Sequence, residues 1–415
     1  MKCGLIGAKL SHSYSPEIHK ALVGDLYSYE LIEMPEEAVG AFVASQALDA
    51  YNVTIPYKKT VMPYLDIISE RAKKIGAVNT VFKNADGKRC GDNTDYYGFS
   101  VMLDSLGVDV KAKKVLILGS GGASATAQAV LSDKGALYTV ISRSGEDNYE
   151  NIYERHANAS LIVNCSPVGM YPNTDACPVD LSKFPALEGV LDMIYNPART
   201  RLIAAAEALG IPAINGLCML VAQAKEACEK FCGGSITVDD SNISRICAQI
   251  AKRNKNIVLI GMPGSGKSTI GKLLAEQLGR RFIDTDEVIV ERAGVSIPAI
   301  FARDGEESFR LLEEEVCADI CKLSGCVIAT GGGVVTREKN HLSLRQNSDV
   351  VFLKRNLNVL PVDGRPISQK TPIEEIYEKR LPLYKKFCDV EVDNNSSSDV
   401  TVSSIIKFID EKYSV

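Results

Sequence analysis

Short apolar runs rich in β-branched residues alternate with longer stretches of helical periodicity along nearly the whole of this 415-residue chain. Lys2–Ile6, Leu26–Glu33, Tyr51–Ile55, Lys114–Leu118, Leu137–Ser142, Leu161–Asn164, Gly189–Asp192 and Asn256–Ile260 have the length and composition of strands. Helical stretches such as Ala125–Lys134 and Thr269–Leu278 lie between or after them. Strands alternating with helices predict α/β architecture with mostly parallel sheets. The pattern breaks near Gly233-Gly234-Ser235 and the polar run Asp239-Asp240-Ser241-Asn242. Within that linker Ile243, Ile246, Cys247 and Ile250 recur at i, i+3, i+4 and i+7, which predicts a short connecting helix that packs on one neighbour. After Asn256 a new α/β unit begins, and no internal repeat is visible.

Composition narrows the class. The length exceeds the roughly 250 to 300 residues at which one core stops growing, so two to four domains are expected. With 46% hydrophobic and 24% charged residues, the chain is neither disordered nor collagen-like. Forty-seven Lys and Arg stand against 52 Asp and Glu, a net charge of −5 with no basic tract, so nucleic acid is not an expected partner. The longest apolar runs are strand-sized, far below the ~20 residues of a membrane span, and Met1-Lys2-Cys3 does not open an apolar signal segment. A cytoplasmic protein is therefore expected, and its twelve cysteines read as reduced thiols. Cys317, Cys321 and Cys326, or Cys228 and Cys232, have helical rather than zinc-ligand spacing, and only four His are present, so these read as small core residues.

Two glycine-rich turns carry candidate chemistry. Gly119-Ser120-Gly121-Gly122-Ala123-Ser124 follows a strand and opens a helix, where backbone N–H groups can approach a pyrophosphate. The next strand ends in Ser142-Arg143-Ser144 rather than in an acid, which suits the 2′-phosphate of NADP. The same features equally serve a tight turn beside a surface arginine. Gly261-Met262-Pro263-Gly264-Ser265-Gly266-Lys267-Ser268 fits GxxxxGKS between a strand and a helix. In that context the backbone, with Thr269 behind it, cradles phosphates, Lys267 reaches the β and γ groups, and Ser268 ligates Mg2+.

Over residues 1 to about 235, seven ordered motifs resemble the shikimate dehydrogenase family. They are His12-Ser13-Tyr14-Ser15-Pro16, Asn52 to Lys58, Gly76 to Thr80, Gly91 to Asp95, Asn164 to Met170, Asp192 to Pro197 and Met219 to Ala224. The resemblance implies a catalytic pair, Lys58 and Asp95, and a substrate site of Ser13, Ser15, Thr54, Asn79, Tyr195 and Gln223. It implies an NADP site of Glu70, Gly119, Ser120, Gly121, Gly122, Ala123, Ser142, Arg143, Ser144, Met193 and Gly216. A lysine ammonium held by a carboxylate can polarise a ketone and protonate the alkoxide that hydride leaves. Two departures stand out: Tyr96 replaces the Gly that follows the family's NTD, and Asp147 replaces its second base.

Residues 255 to about 410 resemble shikimate kinases through Asp284-Thr285-Asp286, Phe301 to Glu313, Thr330 to Gly333, Gly364-Arg365-Pro366 and Arg380 to Tyr384. The resemblance implies ATP at Gly264, Ser265, Gly266, Lys267, Ser268 and Thr269, with Arg365 as a lid arginine on the phosphates, and Mg2+ at Ser268 and Asp284. It implies shikimate at Asp286, Arg310, Gly331, Gly332, Gly333 and Arg380, two arginines suiting a carboxylate bidentately. The stretch from Phe352 to Arg365 is short for the family.

The organisation these likenesses imply is α/β throughout. Residues 1–100, with returning helices at about 216–235, form a shikimate-binding domain, 101–215 a Rossmann domain for NADP, 236–254 a linker and 255–415 a P-loop kinase domain with a parallel sheet. The implied activity is bifunctional: NADPH-dependent reduction of 3-dehydroshikimate, then MgATP-dependent phosphorylation of shikimate. Two rivals stand beside it. One is an NAD-using quinate/shikimate dehydrogenase fused to the kinase. The other is a regulatory module with inactive sites, which would be expected to lack Lys58, Asp95, Lys267 or Asp286; all four are present.

Overall fold

The computed structural model describes residues 1–10, 13–360 and 371–414. The chain divides into two compact units, Met1–Tyr195 with Leu202–Cys247, and Asn196–Arg201 with Ala248–Val415.

The first unit opens with β1 (Lys2–Gly7), α1 (Ser15–Val23), β2 (Ser28–Glu33), α2 (Val39–Ser45), β3 (Ala50–Val53), β4 (Ile67–Ile68), α3 (Glu70–Ile75), β5 (Thr80–Lys83), β6 (Arg89–Asp92) and α4 (Asp95–Ser105). Its six strands form one sheet in the order β2-β1-β3-β5-β6-β4. β1 is parallel to β2 and β3, but β5 runs antiparallel to β3 and to β6. β4 is parallel to β6, so three of the five pairings are parallel and the mostly parallel expectation holds, in a mixed sheet. The turn at Asn84 makes the hairpin: its side chain accepts from the N–H groups of Asp86 and Lys88, and Gly87 takes φ +74°, a conformation glycine adopts freely.

The chain continues through β7 (Lys114–Leu118), α5 (Gly122–Asp133), β8 (Leu137–Ile141), α6 (Ile152–His156), β9 (Leu161–Asn164), β10 (Gly189–Asp192), α7 (Arg201–Ala208), β11 (Ala213–Asn215), α8 (Leu217–Phe231) and α9 (Ser241–Asn254). These strands make a fully parallel sheet, β11-β10-β9-β7-β8. Alternation along β7 explains why it is apolar throughout. Val115 and Ile117 enter one core with Leu161, Val163 and Leu191, while Leu116 and Leu118 enter a second core with Ile162 and Val190 on the opposite face. Each such fully buried side chain stabilises the fold by about 1.5–3 kcal/mol relative to exposure.

The second unit repeats that logic with β12 (Asn256–Ile260), α10 (Lys267–Leu278), β13 (Phe282–Asp284), α11 (Thr285–Ala293), α12 (Ile297–Ile320), β14 (Val327–Ala329), α13 (Glu338–Gln346), β15 (Ser348–Lys354), α14 (Ile373–Phe387), β16 (Val390–Asp393) and α15 (Ser398–Lys412). The sheet order is β13-β14-β12-β15-β16, all parallel. Val258 and Ile260 face one core, Ile257 and Leu259 the other. α12 is broken at Gly305, where φ is 81°. Among the described residues no helix is long and apolar enough to cross a membrane. The α/β expectation is what the structure has.

Candidate active sites

In the first unit the end of β3 and the start of α4 bring a cation and an acid together. Lys58 Nζ lies 2.6 Å from Asp95 Oδ2, with side chains 26% and 15% exposed. Asp95 is the first residue of α4, where the helix N-terminus favours a negative charge. Behind the pair is a bed of buried amides and hydroxyls. Asn79 Oδ1 accepts from the Thr94 N–H at 2.7 Å and from Thr80 Oγ1 at 2.9 Å, and Thr94 Oγ1 reaches Gln223 Oε1 at 3.5 Å. Asn52 Nδ2 donates to Thr80 Oγ1 at 3.1 Å. At the start of α1 the Ser13 hydroxyl donates to that of Ser15 at 3.1 Å, and the Tyr14 ring stands 5.5 Å from that of Tyr195. Thr54 follows β3 and its N–H donates to Ile6 at 3.0 Å.

The turn carrying Asp95 is anchored by a charged knot. Asp92 accepts from Arg71 at 2.7 and 2.8 Å, from Lys230 at 2.7 Å, from Ser69 at 2.5 Å and from the Asn93 N–H at 2.7 Å. Burial opposes its charge, but Arg71, Lys230 and Ser69 outweigh that and hold its carboxyl well below the usual carboxylate range. Arg71 also reaches Glu226 at 2.7 Å.

The parallel sheet of the same unit presents an open glycine turn at the carboxyl end of β7, where the strand order reverses. Gly119 takes φ +106° and a Cβ there would lie 3.2 Å from the Ser166 nitrogen, so only glycine sits easily. A Cβ on Gly121 or Gly122 would meet nothing within 4 Å, which leaves room above the start of α5 for a pyrophosphate. Ser120 and Ala123 complete this turn, while Ser124 is buried and accepts from Gln128 at 3.1 Å. Gly216 lies so close to the Met193 carbonyl that no side chain would fit. After β8, Arg143 and Ser144 are exposed and Ser142 half-buried. Asp147 turns away to His156 at 2.7 Å and Arg155 at 2.9 Å, so it does not oppose an anion beside Arg143. Glu70 is exposed on α3 and pairs with Lys73 at 2.7 Å; no contact of its side chain leads to the glycine turn.

In the second unit a cavity of about 650 Å³ lies over the phosphate loop. Gly264 and Gly266 take φ of 80° and 92°, conformations that the loop needs glycine to adopt. Ser265 is fully buried beneath them, and Thr269 follows Ser268 on the cavity wall. Lys267 is buried and donates to the carbonyls of Gly261 and Met262, each at 2.9 Å. Ser268 Oγ donates to Asp284 Oδ2 at 2.6 Å, and Asp284 caps α11 by accepting the Asp286 N–H at 3.0 Å. A hydroxyl and a carboxylate side by side fit a hard cation that keeps several waters. Asp286 has one oxygen buried without a partner; burial, then the charge of Asp284, pushes its carboxyl up to about 6. Arg310 pairs with the fully buried Glu313 at 2.7 Å, and Arg380 donates to the Gly332 carbonyl at 3.1 Å. The three glycines are required by crowding. A Cβ on Gly331 would lie 2.8 Å from Glu313 and 2.9 Å from Asp286, one on Gly332 would strike Pro263, and one on Gly333 the Arg310 guanidinium.

Residues 263–410 match the shikimate kinase family and residues 5–81 the shikimate dehydrogenase substrate-binding domain. A Clostridium beijerinckii protein named shikimate dehydrogenase (NADP(+)) is 40% identical over 54% of this chain and 89% of its own length. The chain belongs to the shikimate dehydrogenase family and carries a shikimate kinase domain. A solved shikimate dehydrogenase 1 from Peptoclostridium difficile is 35% identical with a TM-score of 0.54, covering 60% of this chain and 97% of that one. The Thermus thermophilus shikimate 5-dehydrogenase, solved with NADP(H) and shikimate, is 29% identical with the same TM-score, covering 60% and 99%.

Within the shikimate dehydrogenase unit, hydrogen bonds join the positions of Asn79, Thr94 and Gln223 around the Lys58–Asp95 pair. The shikimate kinase unit gathers Lys267, Asp284, Asp286, Arg310 and Arg380 on one cavity. His12 and Arg365 lie outside the described residues. Sequence reasoning gave no role to Arg71, Lys230 or Glu313, and none to Arg355. Arg355 lines the cavity with a guanidinium nitrogen 3.2 Å from where a Gly266 Cβ would be. Arg71 and Lys230 lie outside the quoted motifs, Glu313 closes one of them without an assigned role, and Arg355 sits in the stretch that is short for the family.

Proposed function

We propose that the first unit reduces 3-dehydroshikimate to shikimate with NADPH and that the second phosphorylates the shikimate 3-hydroxyl with MgATP. The dehydrogenase reading rests on Lys58 and Asp95, 2.6 Å apart beside the buried Asn79 and Gln223. NADPH, when bound, supplies the hydride. Lys58 Nζ holds the proton that passes to the substrate's carbonyl oxygen, and Asp95 orients that nitrogen through the 2.6 Å contact. Asn79, Gln223, Ser13, Ser15 and Thr54 offer the donors and acceptors that a polyol carboxylate needs. Exposed Arg143 with Ser142 and Ser144 supports NADP over NAD, the nearby Asp147 being engaged by His156 and Arg155.

The kinase reading rests on one cavity that holds a buried phosphate-loop lysine, an unpartnered carboxyl and two arginines. MgATP supplies the phosphoryl group, with Ser268 and Asp284 the residues that would hold the metal. Asp286, poised at about 6, accepts the proton of the attacking hydroxyl at Oδ1. Arg310, fixed by Glu313, and Arg380 pair with the acceptor's carboxylate. A cytoplasmic setting belongs to the proposal and draws on the twelve free thiols.

The test supplies purified chain with 3-dehydroshikimate, NADPH and MgATP, follows NADPH absorbance and identifies products by mass. Shikimate 3-phosphate is expected. Oxidation of quinate with NAD and no reaction of 3-dehydroshikimate would overturn the dehydrogenase half. Failure to phosphorylate added shikimate would overturn the kinase half.

A further inference from the structure

The cavity of the second unit has two sides, set by the strand order β13-β14-β12-β15-β16. The phosphate loop leaves β12 at the centre. Asp284 and Asp286, at and just past the end of β13, line one side with Gly331, Gly332 and Gly333, which follow β14. Arg355, the residue after β15, lines the other. Among the described residues four cations line this cavity: Lys267, Arg310, Arg355 and Arg380. Lys267 is held by two loop carbonyls, Arg310 by Glu313, and Arg380 by the Gly332 carbonyl. Arg355 is exposed and makes no hydrogen bond or ion pair among the described residues.

The backbone that carries Arg355 is clamped. The Asn394 N–H donates to the Lys354 carbonyl at 2.8 Å and the Asn356 N–H to Asn395 Oδ1 at 2.8 Å, so the residues on either side of Arg355 are tied to the end of β16. Buried Asn394 donates through Nδ2 to the Ser265 carbonyl at 2.7 Å and accepts from Thr401 Oγ1 at 2.9 Å, which ties that strand end to the phosphate loop. Lys354 is engaged by Glu391 at 3.2 Å. The Arg355 guanidinium is thereby set beside the loop, Nη1 lying 3.2 Å from where a Gly266 Cβ would stand. A guanidinium and the N–H groups at the start of α10 then lie together, an arrangement suited to a ligand of high negative charge.

We propose that Arg355 binds the leaving nucleoside diphosphate, pairing with the α- and β-phosphates of ATP and of the ADP product from the side of the loop opposite the acceptor. The inference rests on the kinase reading above and adds which end of the triphosphate each arginine serves. Arg310 and Arg380 lie against Gly333 and Gly332, on the side of Asp286, where the acceptor hydroxyl attacks. Arg355 lies where the leaving oxygen departs, because attacking and leaving oxygens are roughly in line across the transferred phosphorus. Negative charge grows on the diphosphate as the bond from its bridging oxygen to the γ-phosphorus breaks, so a fixed cation there favours transfer as well as binding. Arg355 stands on a strand end ten residues before Arg365, and is a separate group from the arginine that the resemblance assigns to the phosphates.

The experiment compares the full chain with Arg355→Ala and with Arg355→Lys, which keeps the charge. MgADP and magnesium pyrophosphate are titrated calorimetrically with NADP+ in excess to occupy the first unit, and Lys267→Ala defines the heat that belongs to the phosphate loop. Arg355→Ala should raise both dissociation constants about tenfold, the low end for a hydrogen bond to a charged group because the side chain is exposed. Arg355→Lys should recover part of that loss. In phosphorylation assays Arg355→Ala should raise the KM for ATP by a similar factor and leave that for shikimate within about twofold. Weaker MgADP binding with unchanged pyrophosphate binding would put the arginine on the base, and a rise in the shikimate KM alone would put it with the acceptor. Either result overturns the proposal, as does unchanged binding of both ligands. A parent chain that binds MgADP through Arg355 yet does not phosphorylate shikimate would overturn the kinase reading and leave the diphosphate contact standing.

Discussion

A carboxyl held at about 6 in a cavity makes the folded protein bind a proton that the unfolded chain has already released. For Asp286 the window runs from 3.8 to about 6, with burial the larger cause and the charge of Asp284 the next. Stability from this group is present below 3.8, declines as pH rises through the window, and above it the ionised form costs on the order of 3 kcal/mol. Asp286→Asn should therefore raise stability of the second unit at pH 7 by about 1–3 kcal/mol and leave it nearly unchanged at pH 4, as read by urea unfolding. It should also lower phosphorylation at least about a hundredfold. Equal effects at both pH values would show that the cost is not ionic. Asp92 is the opposite case: its depressed value gives stability that is present above 3.8 and lost on acidification. Arg143→Ala should raise the KM for NADP about tenfold to a hundredfold, the worth of one hydrogen bond to a charged group, and leave that for NAD unchanged. An equal rise for both cofactors would remove Arg143 from the 2′-phosphate. Lys267 was singled out by the fixed spacing of GxxxxGKS, and Lys58, Asp95 and Asp286 through the family resemblance of the motifs that hold them. Arg71 was not, because one of its partners, Glu226, is 155 residues away.

Elements were legible where alternation decided them. Lys114–Leu118, Leu161–Asn164, Gly189–Asp192 and Asn256–Ile260 are strands at the predicted bounds, since a run buried on both faces is apolar throughout. The β5–β6 hairpin was not read: Arg89–Asp92 is a polar-looking segment held by pairing with β5, and Asp86-Gly87 was its local signal. Helices α5 and α10 start at Gly122 and Lys267, earlier than periodicity predicts, because a helix N-terminus on a glycine turn carries no apolar stripe. The knot joining α3, β6 and α8 sets how rigidly the start of α4 presents Asp95. Removing Arg71 leaves Asp92 and Glu226 sharing Lys230, which stands 2.7 Å from one and 3.8 Å from the other. Arg71→Ala should destabilise the first unit by about 3 kcal/mol, the low end for a broken buried ion pair, because its side chain keeps 26% exposure. It should lower dehydrogenase kcat more than it raises the shikimate KM. Unchanged stability would mean that Lys230 alone satisfies both acids.

At the scale of the whole molecule, each site is built within its own unit: Ser13 to Gln223 in the first, Gly264 to Arg380 in the second. In the proposed sequence the hydroxyl that reduction creates at C3 is the nucleophile of phosphoryl transfer, so the two losses can be read from where one assay stops. Lys58→Ala leaves Asp95 at the N-terminus of α4, where the helix still favours its charge, so the variant should fold and lose only proton transfer. Lys267→Ala removes the buried cation of the phosphate loop without touching the first unit. Given 3-dehydroshikimate, NADPH and MgATP, Lys58→Ala should leave the starting ketone unconverted while phosphorylating added shikimate within about twofold of the parent chain, since independent sites seldom couple. Lys267→Ala should consume NADPH normally and accumulate shikimate. An equimolar mixture of the two variants should then restore conversion to shikimate 3-phosphate, the intermediate passing through solution from one chain to the other. A mixture that makes shikimate but no phosphate ester, although Lys58→Ala phosphorylates added shikimate, would show that the intermediate does not pass freely between chains.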